Sequence, residues 1–489
     1  MRLMSRSRIL SIALFAPLGA VHAQTELSVF NTTGRAAATT FVTDYQAIGI
    51  NPANLGWTWR HTDKQVAFGV AEGSYSLYSD ALTRDDMRDR VLDANFRFTT
   101  DQKEEAARIF TNAGAIADVN VMLVGAAFTT PNAGGFAFQI RDHARISSRF
   151  GPVAAELAFE GFRSDYFDLL VLATGDTVTN YATMSEDSLA LVVLGIASEP
   201  QLLGRVLDGS NIELTWYREY NFSYGRHLIR TDAVELYGGI GLKHLVGIGI
   251  VDIRAEDGEL TGFTSLSEDF QLDYTTGSRV PGSRLSAGSL AFPRPTGRGF
   301  GMDIGLGLIV KDVWKLGVAV TNLGSIKWTG NVFKATDGSL VDLATDGLDN
   351  YNFVEGLDDF ATNSGFLEWS SGGERVVPLP TNTRLGVGRL FGETVEVGLD
   401  VIIPMNDQPG SLRTVAVGFG GDVRPIPWLQ LSAGLMTGGN ADTKLPVGVT
   451  FIAGAGTWEA GIASRDMITY FSQRNPTLSL SLGFLRFRI

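Results

Sequence analysis

Long stretches of the chain alternate between aliphatic residues and small ones. In residues 236–251 the even positions are mostly Leu, Ile or Val, and four of the eight odd positions are Gly. A period of two puts the two sets on opposite faces of a β-strand. Because typical strands have about 5–6 residues, this run predicts a long, tilted strand with one apolar face and one face of small residues.

The same alternation returns along the second half of the chain. Six further runs show it: 304–310, 314–321, 395–403, 415–420, 429–436 and 458–463. Glycine accounts for 57 of 489 residues, about 12% against an average of about 7%. A soluble sandwich needs large residues inside, whereas a closed barrel in lipid is apolar outside and crowded inside. The pattern predicts an all-β, transmembrane antiparallel β-barrel of 14 or 16 strands.

The first 23 residues carry the marks of a secretory signal peptide. Basic residues at positions 2, 6 and 8 precede a short apolar stretch, and Val21, His22 and Ala23 form a small-residue cleavage site. The longest later apolar run, 189–197, falls short of the about 18 residues that a membrane helix needs. We therefore expect cleavage of residues 1–23 and delivery to the outer membrane of a Gram-negative cell.

Connection lengths alternate when strands are counted back from a periplasmic C-terminus. Predicted short turns lie near 311–313, 392–393, 422–427 and 455–457. Predicted outer loops are longer and include 276–298 and 329–381. Bacterial barrels sort their connections in this way. The strands between them are expected near 299–310, 314–328, 382–391, 394–404, 412–421, 427–437, 444–454, 457–465 and 476–489.

The first half is less regular and mixes two kinds of element. Strands are expected near 64–79, 116–130, 134–149, 152–162, 212–229, 234–253 and 260–275. Helices are expected in the segments 82–93, 101–113, 186–197 and 199–207. The apolar helices in the last two segments are expected either to pack on the barrel rim or to line a hydrophobic ligand groove.

Two sets of apolar residues mark the predicted membrane boundary and the final strand. Tryptophans open three strands just after short turns: Trp314, Trp428 and Trp458. They predict an interfacial aromatic girdle, with burial in a core as the alternative. The last strand alternates to its end after a one-residue slip and carries Leu485, Phe487 and Ile489. This aromatic-rich end resembles the signal that the barrel assembly machinery reads.

A short motif precedes the first alternating run. Its residues are Asp44, Ala47, Asn51, Pro52, Ala53, Asn54 and Leu55. It resembles the N-terminal signature of the FadL-like outer-membrane family of long-chain fatty-acid transporters, with Asn54 in place of a glycine. Segments 316–324 and 421–435 are similar to the PorV/PorQ-like branch, and the Asn-Pro-Ala-Asn variant to an uncharacterised branch.

The resemblance implies a 14-stranded barrel, residues 61–489, closed near the periplasm by a plug of residues 24–60. The residues themselves indicate a turn, because Pro52 lacks a donor and holds Asn51 extended. An ordinary surface turn is the alternative to a plug. Charges on the predicted inner face, Lys243, Lys315, Glu396 and Asp400, are interpreted as a paired lumen network, with a proton relay as the alternative.

Patterns that carry chemistry are sparse. The mature chain has no cysteine, its four histidines lack metal-ligand spacing, and it has no G-x-S-x-G elbow. We expect no enzyme, catalytic residue, metal or cofactor, and a formal net charge of −13 disfavours nucleic acid. Seven acidic residues in segment 337–359 predict a solvated outer loop, with calcium binding as the alternative: Asp337, Asp342, Asp346, Asp349, Glu355, Asp358 and Asp359.

Three functions fit these expectations. The leading one is passive uptake of hydrophobic small molecules such as fatty acids, which predicts an apolar cavity beside the plug. The second is a barrel scaffold for a protein partner in secretion or surface assembly, which predicts large ordered outer loops. The third is an outer-membrane hydrolase. Each predicts contact with outer-membrane lipid.

Overall fold

A computed structural model describes most of the mature chain. The described residues are 29–59, 63–91, 93, 95–181, 184, 186–270, 272–273, 278–279, 288, 292–351, 367–439, 441–467, 471 and 477–489. The predicted signal peptide, residues 1–23, lies outside them, as do residues 24–28 and 60 of the predicted plug.

Fourteen strands form one closed antiparallel barrel. They are β1 (Val66–Ser79), β2 (Gly114–Thr130), β3 (Gly134–Arg149), β4 (Ser210–Arg230), β5 (Val234–Glu256), β6 (Gly297–Val310), β7 (Trp314–Trp328), β8 (Asn382–Phe391), β9 (Val395–Pro404), β10 (Ala416–Ile426), β11 (Leu429–Gly438), β12 (Val447–Ala453), β13 (Trp458–Ser464) and β14 (Thr477–Arg488). Each strand pairs with the next, and β14 pairs with β1. The predicted fold class is confirmed, with 14 strands.

The two ends of the barrel have different connections. Six turns of two to four residues join strands at one end, where the barrel's own termini also meet through Gln65 N and Ile489 O at 3.3 Å. Seven connections of eight to sixty residues lie at the other end. The four predicted short turns all fall at the short-turn end. Bacterial outer-membrane barrels keep their short turns in the periplasm, which orients the long connections outward.

The outer face of the barrel is apolar, as the alternation predicts. Phe222, Leu242 and Phe300 are 63%, 57% and 74% exposed, and they alternate with buried or small neighbours. Exposed apolar surface of this extent is stable in lipid and not in water. The protein is therefore an integral barrel of the outer membrane. None of the described helices has both the length and the apolarity to cross a membrane.

Two of the long connections, with part of a third, fold into an outer cap, which we define as the described residues within 80–113, 150–209 and 337–351. It contains helices α1 (Thr100–Phe110) and α2 (Pro152–Glu160). The cap also contains a four-stranded sheet, in which the strands lie in the order Ser339–Leu343, Val192–Leu202, Leu169–Leu172 and Thr177–Thr179. Phe110, Phe150 and Phe159 pack in one apolar cluster of the cap, and Leu157, Phe167 and Leu343 pack in another.

Shorter elements complete the described chain. The helical turns are Phe30–Thr33, Asp44–Ala47, Pro52–Gly56, Arg84–Asp86, Met87–Val91, Gly161–Arg163, Glu186–Leu189, Leu203–Val206 and Glu268–Phe270. The remaining strands are Glu259–Leu266, Leu272–Asp273, Ser278–Arg279, Val332–Thr336, Glu368–Ser371, Arg375–Pro378 and Ala441–Lys444.

Four predicted elements of the first half were wrong. The strand expected at 152–162 is helix α2, where Pro152 stands at the helix start and the alanines favour helix. The helices expected at 186–197 and 199–207 are mainly the strand Val192–Leu202, because a short apolar run does not distinguish helix from strand. The strand expected at 260–275 ends at Leu266 and pairs with Val332–Thr336 beyond the barrel wall.

Candidate functional site

The N-terminal segment, residues 29–59, is in contact with the whole inner wall. Every barrel strand brings at least one glycine so close to the segment that an added Cβ would lie within 3.2 Å of a segment atom. These glycines are, in strand order, Gly69, Gly125, Gly135, Gly225, Gly239, Gly305, Gly317, Gly386, Gly398, Gly418, Gly434, Gly448, Gly461 and Gly483. A segment that touches all fourteen strands on their small-residue face lies inside the barrel. The high glycine content thus has a local cause, since larger side chains would occupy the segment's space.

The Asn-Pro-Ala-Asn motif forms a turn against strands β4 to β6. Asn51 Oδ1 accepts a hydrogen bond from Ala53 N at 3.1 Å, and Asn51 Nδ2 donates to Leu306 O at 3.2 Å. Pro52 lies against the glycines of β4 and β5. Asn54 Nδ2 donates to the carbonyls of Thr39 and Val42, both at 2.9 Å. These last bonds require an amide side chain, which accounts locally for Asn54 where the resembled signature has glycine.

The other motif residues have separate environments. Ala47 is fully buried, and the Leu55 carbonyl lies against Gly135 of β3. Asp44 Oδ2 accepts from Arg486 Nη2 at 2.6 Å and from Arg488 Nη2 at 3.0 Å, both on β14. The motif therefore joins the first part of the chain to its last strand, and the sequence gives no sign of this contact.

Two acidic residues on β9 and β10 hold the preceding part of the segment. Asp400 Oδ2 accepts from Ala38 N and Thr39 N, both at 2.8 Å, and from Thr39 Oγ1 at 2.9 Å. Arg35 Nη1 donates to Asp422. Asp400 is buried and the Asp422 side chain is only 12% exposed, so these bonds are stronger than they would be in water.

The lumen charges predicted from the alternation are paired. Lys315 Nζ lies 2.7 Å from Glu396 Oε1 and 5.2 Å from the centre of the Trp57 ring. Lys243 Nζ lies 3.1 Å from Asp303 Oδ1 and 3.3 Å from Glu219 Oε2. The pairs agree with the interpretation of a satisfied network, and they form charged layers on both sides of the Asn-Pro-Ala-Asn turn.

A cavity of about 380 Å³ opens between the N-terminal segment and the short turns. Its lining includes Arg35, Lys315, Glu396, Glu459 and Arg488. The charged groups outnumber the apolar ones, which include Phe41 and Ile309. The cavity described at this end is polar, unlike the apolar cavity that the leading hypothesis predicts.

Apolar side chains gather instead toward the outer end of the lumen. Leu245, Ile326, Trp328 and Leu379 belong to one buried cluster, which we call the Trp328 cluster. The Trp328 ring packs over Gly247 of β5 and Gly297 of β6. Its Nε1 is buried and has no hydrogen-bond acceptor among the described residues. Sequence reasoning missed this cluster because its members come from β5, β7 and a distant loop.

The predicted girdle and assembly residues lie on the outside of the barrel. Trp314 and Trp428 are 42% and 53% exposed, and Trp458 Nε1 donates to Phe484 O at 2.9 Å. All three adjoin short turns. Leu485, Phe487 and Ile489 are exposed on or after β14, and the pairing of β13 with β14 shifts between Glu459 and Gly461. This shift corresponds to the one-residue slip in the sequence.

The described part of the acidic loop, residues 337–351, belongs to the outer cap. Lys103 Nζ lies 3.2 Å from Asp346 Oδ2 and 3.3 Å from Asp349 Oδ1, and Asp337 accepts from Gly204 N. Glu355, Asp358 and Asp359 lie outside the described residues, and Asp342 is exposed.

Glu160 ends helix α2 in the cap, close to other carboxylates. Its partial burial, followed by the nearby charges of Glu156, Glu104 and Asp165, raises the pKa of Glu160 to about 7. The cap therefore contains a carboxyl group that changes its charge near neutral pH.

Comparisons with solved structures find chains that are similar over nearly their full length. The chain is similar to a Pseudomonas aeruginosa FadL homologue, with 12% identity, 96% of this chain and 98% of that chain covered, and a TM-score of 0.40. It is similar to the Ralstonia pickettii toluene transporter TbuX, with 12% identity, coverage of 95% and 99%, and a TM-score of 0.42. For the Pseudomonas putida toluene transporter TodX the values are 10%, 94% and 96%, and 0.38.

Comparisons of sequence give one family. No curated protein matches the chain significantly. The profile of a family of unknown function, DUF5723, matches residues 161–455, which extend from the outer cap to the turn after β12. This match covers more than half of the chain. The chain belongs to the DUF5723 family.

Proposed function

We propose that this protein is a passive outer-membrane channel for hydrophobic small molecules, with fatty acids and hydrocarbons as the substrate class. The observation that carries the proposal is the N-terminal segment, which touches all fourteen strands from within. A segment in contact with the whole wall blocks the free flow of water and ions that a porin allows. The barrel is therefore suited to a selective solute that binds before it passes.

The Trp328 cluster supports a hydrophobic solute. It lies at the outer end of the lumen, where a molecule arriving from outside enters first. Burial of apolar surface contributes about 25 cal/mol per Å², so an apolar molecule gains most where the wall is apolar. The unpaired Trp328 Nε1 suits a ligand with one polar end, because a buried donor without an acceptor costs about 1–3 kcal/mol.

Passage beyond the cluster requires a movement. Lys243, Asp303 and Glu219 form a charged layer next to it, and an apolar molecule does not displace the bonds of buried charges at low cost. The neighbouring Asn-Pro-Ala-Asn turn is held mainly by neutral contacts with glycines. We propose that this turn, which is one part of the predicted plug, shifts when a ligand binds.

Transfer into liposomes tests the proposal. Purified protein is reconstituted, and the entry of a fluorescent fatty acid is compared with the entry of a small sugar. We expect the fatty acid to cross faster than in protein-free liposomes and the sugar not to. Trp328→Ala is expected to reduce fatty-acid entry several-fold, while Trp428→Ala, at the opposite end, serves as the matched control. Rapid sugar entry, or no effect of Trp328→Ala, would contradict the proposal.

The outer cap favours a second candidate, a scaffold that binds a protein partner. The cap has two apolar clusters of its own, and it exposes Val193 and Val341 on its sheet and Leu191 just before the sheet strand Val192–Leu202. Purification from native membranes tests this function. A partner that accompanies the unmodified protein and is lost from Val193→Asp supports it, and isolation of the barrel alone opposes it.

A further inference from the structure

The seam between the first and last strands contains a gap in its ladder. Strands β1 and β14 pair from Ala67 to Val70 and again from Gly73 to Tyr78, but residues 71–72 have no register partners on β14. Ala71 in this gap has a φ of 54°, in the left-handed region that disfavours residues with a Cβ. The strand pairing that completes the barrel is therefore interrupted near its middle.

The N-terminal segment binds β1 at this gap. Glu72 is buried, and its two carboxylate oxygens accept from Tyr45 Oη and from Gln46 Nε2, the latter at 2.9 Å. Phe30 fills the space beside Gly483 of β14 and Gly461 of β13. The segment thus covers the interrupted ladder from inside.

Tyr45 and Gln46 belong to the helical turn Asp44–Ala47, and this turn also binds the other side of the seam. Arg486 Nη2 and Arg488 Nη2 both donate to Asp44 Oδ2, at 2.6 and 3.0 Å, and Arg486 Nη1 donates to Gln46 Oε1 at 2.7 Å. Glu459 on β13 lies 3.0 Å from each arginine. Residues Asp44–Ala47 therefore connect β1, β13 and β14.

We propose that the turn Asp44–Ala47 is an internal clamp that closes the barrel seam, a role in assembly that does not depend on what the barrel transports. Without Asp44, two buried arginines share Glu459 as their remaining ion-pair partner among the contacts described above. Without the segment, Glu72 loses both hydrogen bonds described above. Because uncompensated buried charge is strongly destabilising, the seam closes stably only when the segment is in place.

Hydrogen exchange of the folded protein in detergent tests the clamp. Asp44→Asn removes the negative charge at the seam. Asp422→Asn is the control: it removes the wall carboxylate on β10 that pairs with Arg35 of the same segment, away from the seam. We expect Asp44→Asn to speed exchange in β1 and β14 by about tenfold or more and to leave β7 and β8 unchanged. Asp422→Asn is expected to leave the seam protected.

A milder variant keeps the test decisive if Asp44→Asn does not fold. Tyr45→Phe removes the hydroxyl that donates to Glu72 and retains the buried ring. It is expected to speed exchange in β1 around residue 72 and not in β7. Equal loss of protection from Asp44→Asn and Asp422→Asn across the barrel would overturn the clamp, as would an unchanged seam in both Asp44→Asn and Tyr45→Phe.

Discussion

Loss of the Asp400 carboxylate is predicted to loosen the N-terminal segment without unfolding the barrel. Asp400 accepts three hydrogen bonds from the segment, two of them from backbone N–H groups that are buried. In Asp400→Ala both N–H groups lose their acceptor, at about 1–3 kcal/mol each. Water that enters beside a mobile segment satisfies part of this loss. We therefore expect the free energy of loosening the segment to fall by about 3 kcal/mol in total, which raises the population of the loosened state about 150-fold.

Thiol labelling measures that population. The chain has no cysteine, so Ala37→Cys introduces a single thiol at a fully buried position of the segment. Its reaction with a maleimide that does not cross membranes should accelerate by about 150-fold in Asp400→Ala. Asp400→Asn, which keeps an oxygen acceptor, should accelerate it by about tenfold, and Asp232→Ala in an exposed short turn should not change it. An unchanged rate in Asp400→Ala would refute the assignment of Asp400 as an anchor.

Three further predictions follow from the wall, the cap and the last strand. Gly418→Val puts a Cβ 1.9 Å from the Ala36 carbonyl and should raise the same labelling rate, whereas Gly373→Val, which meets open space in an outer loop, should not. The pKa of Glu160, about 7, lies above its ordinary value of 4.5, so the cap should lose stability as pH rises from 4.5 to 7. Glu160→Gln should remove about 1 kcal/mol of this pH-dependent change in the free energy of unfolding after solvent screening. Proteolysis of the cap at pH 5 and 8 measures the difference. Phe487→Asp should lower the amount of heat-modifiable barrel in membranes several-fold, since it removes an apolar side chain worth about 1.5–3 kcal/mol from the lipid face and places a charge near the interface at a further cost of up to about 1 kcal/mol.

The alternation of residue types was sufficient to predict most of the barrel. Strands β7 and β8 were expected at 314–328 and 382–391, which are the observed bounds. In the first half, the cap interrupts the barrel with elements whose partners come from residues far along the chain. Val192–Leu202 is a strand because it pairs with Leu169–Leu172 and Ser339–Leu343. Local propensity does not contain that information.

The interior was less predictable than the wall. The glycine face of the strands was apparent in the sequence. The N-terminal segment that packs against this face was predicted only from the family resemblance. The contact of Asp44 with Arg486 joins residues 442 positions apart, and neither residue has a pattern that indicates the other. The Trp328 cluster is likewise assembled from separate strands and a loop, so it emerges only from the packing.

One disulfide tests most directly whether the N-terminal segment occupies the lumen. A Cβ on Gly388 of β8 would lie 3.2 Å from the Thr40 Cβ, within a few tenths of an ångström of the about 3.5–4.5 Å that a disulfide spans. In Thr40→Cys/Gly388→Cys we expect oxidation to link the two peptides in native membranes. The control Thr40→Cys/Val387→Cys, with its second thiol on the outward neighbour, should remain unlinked. Absence of the Thr40–Gly388 link, or equal linking in both variants, would contradict a segment held inside the barrel.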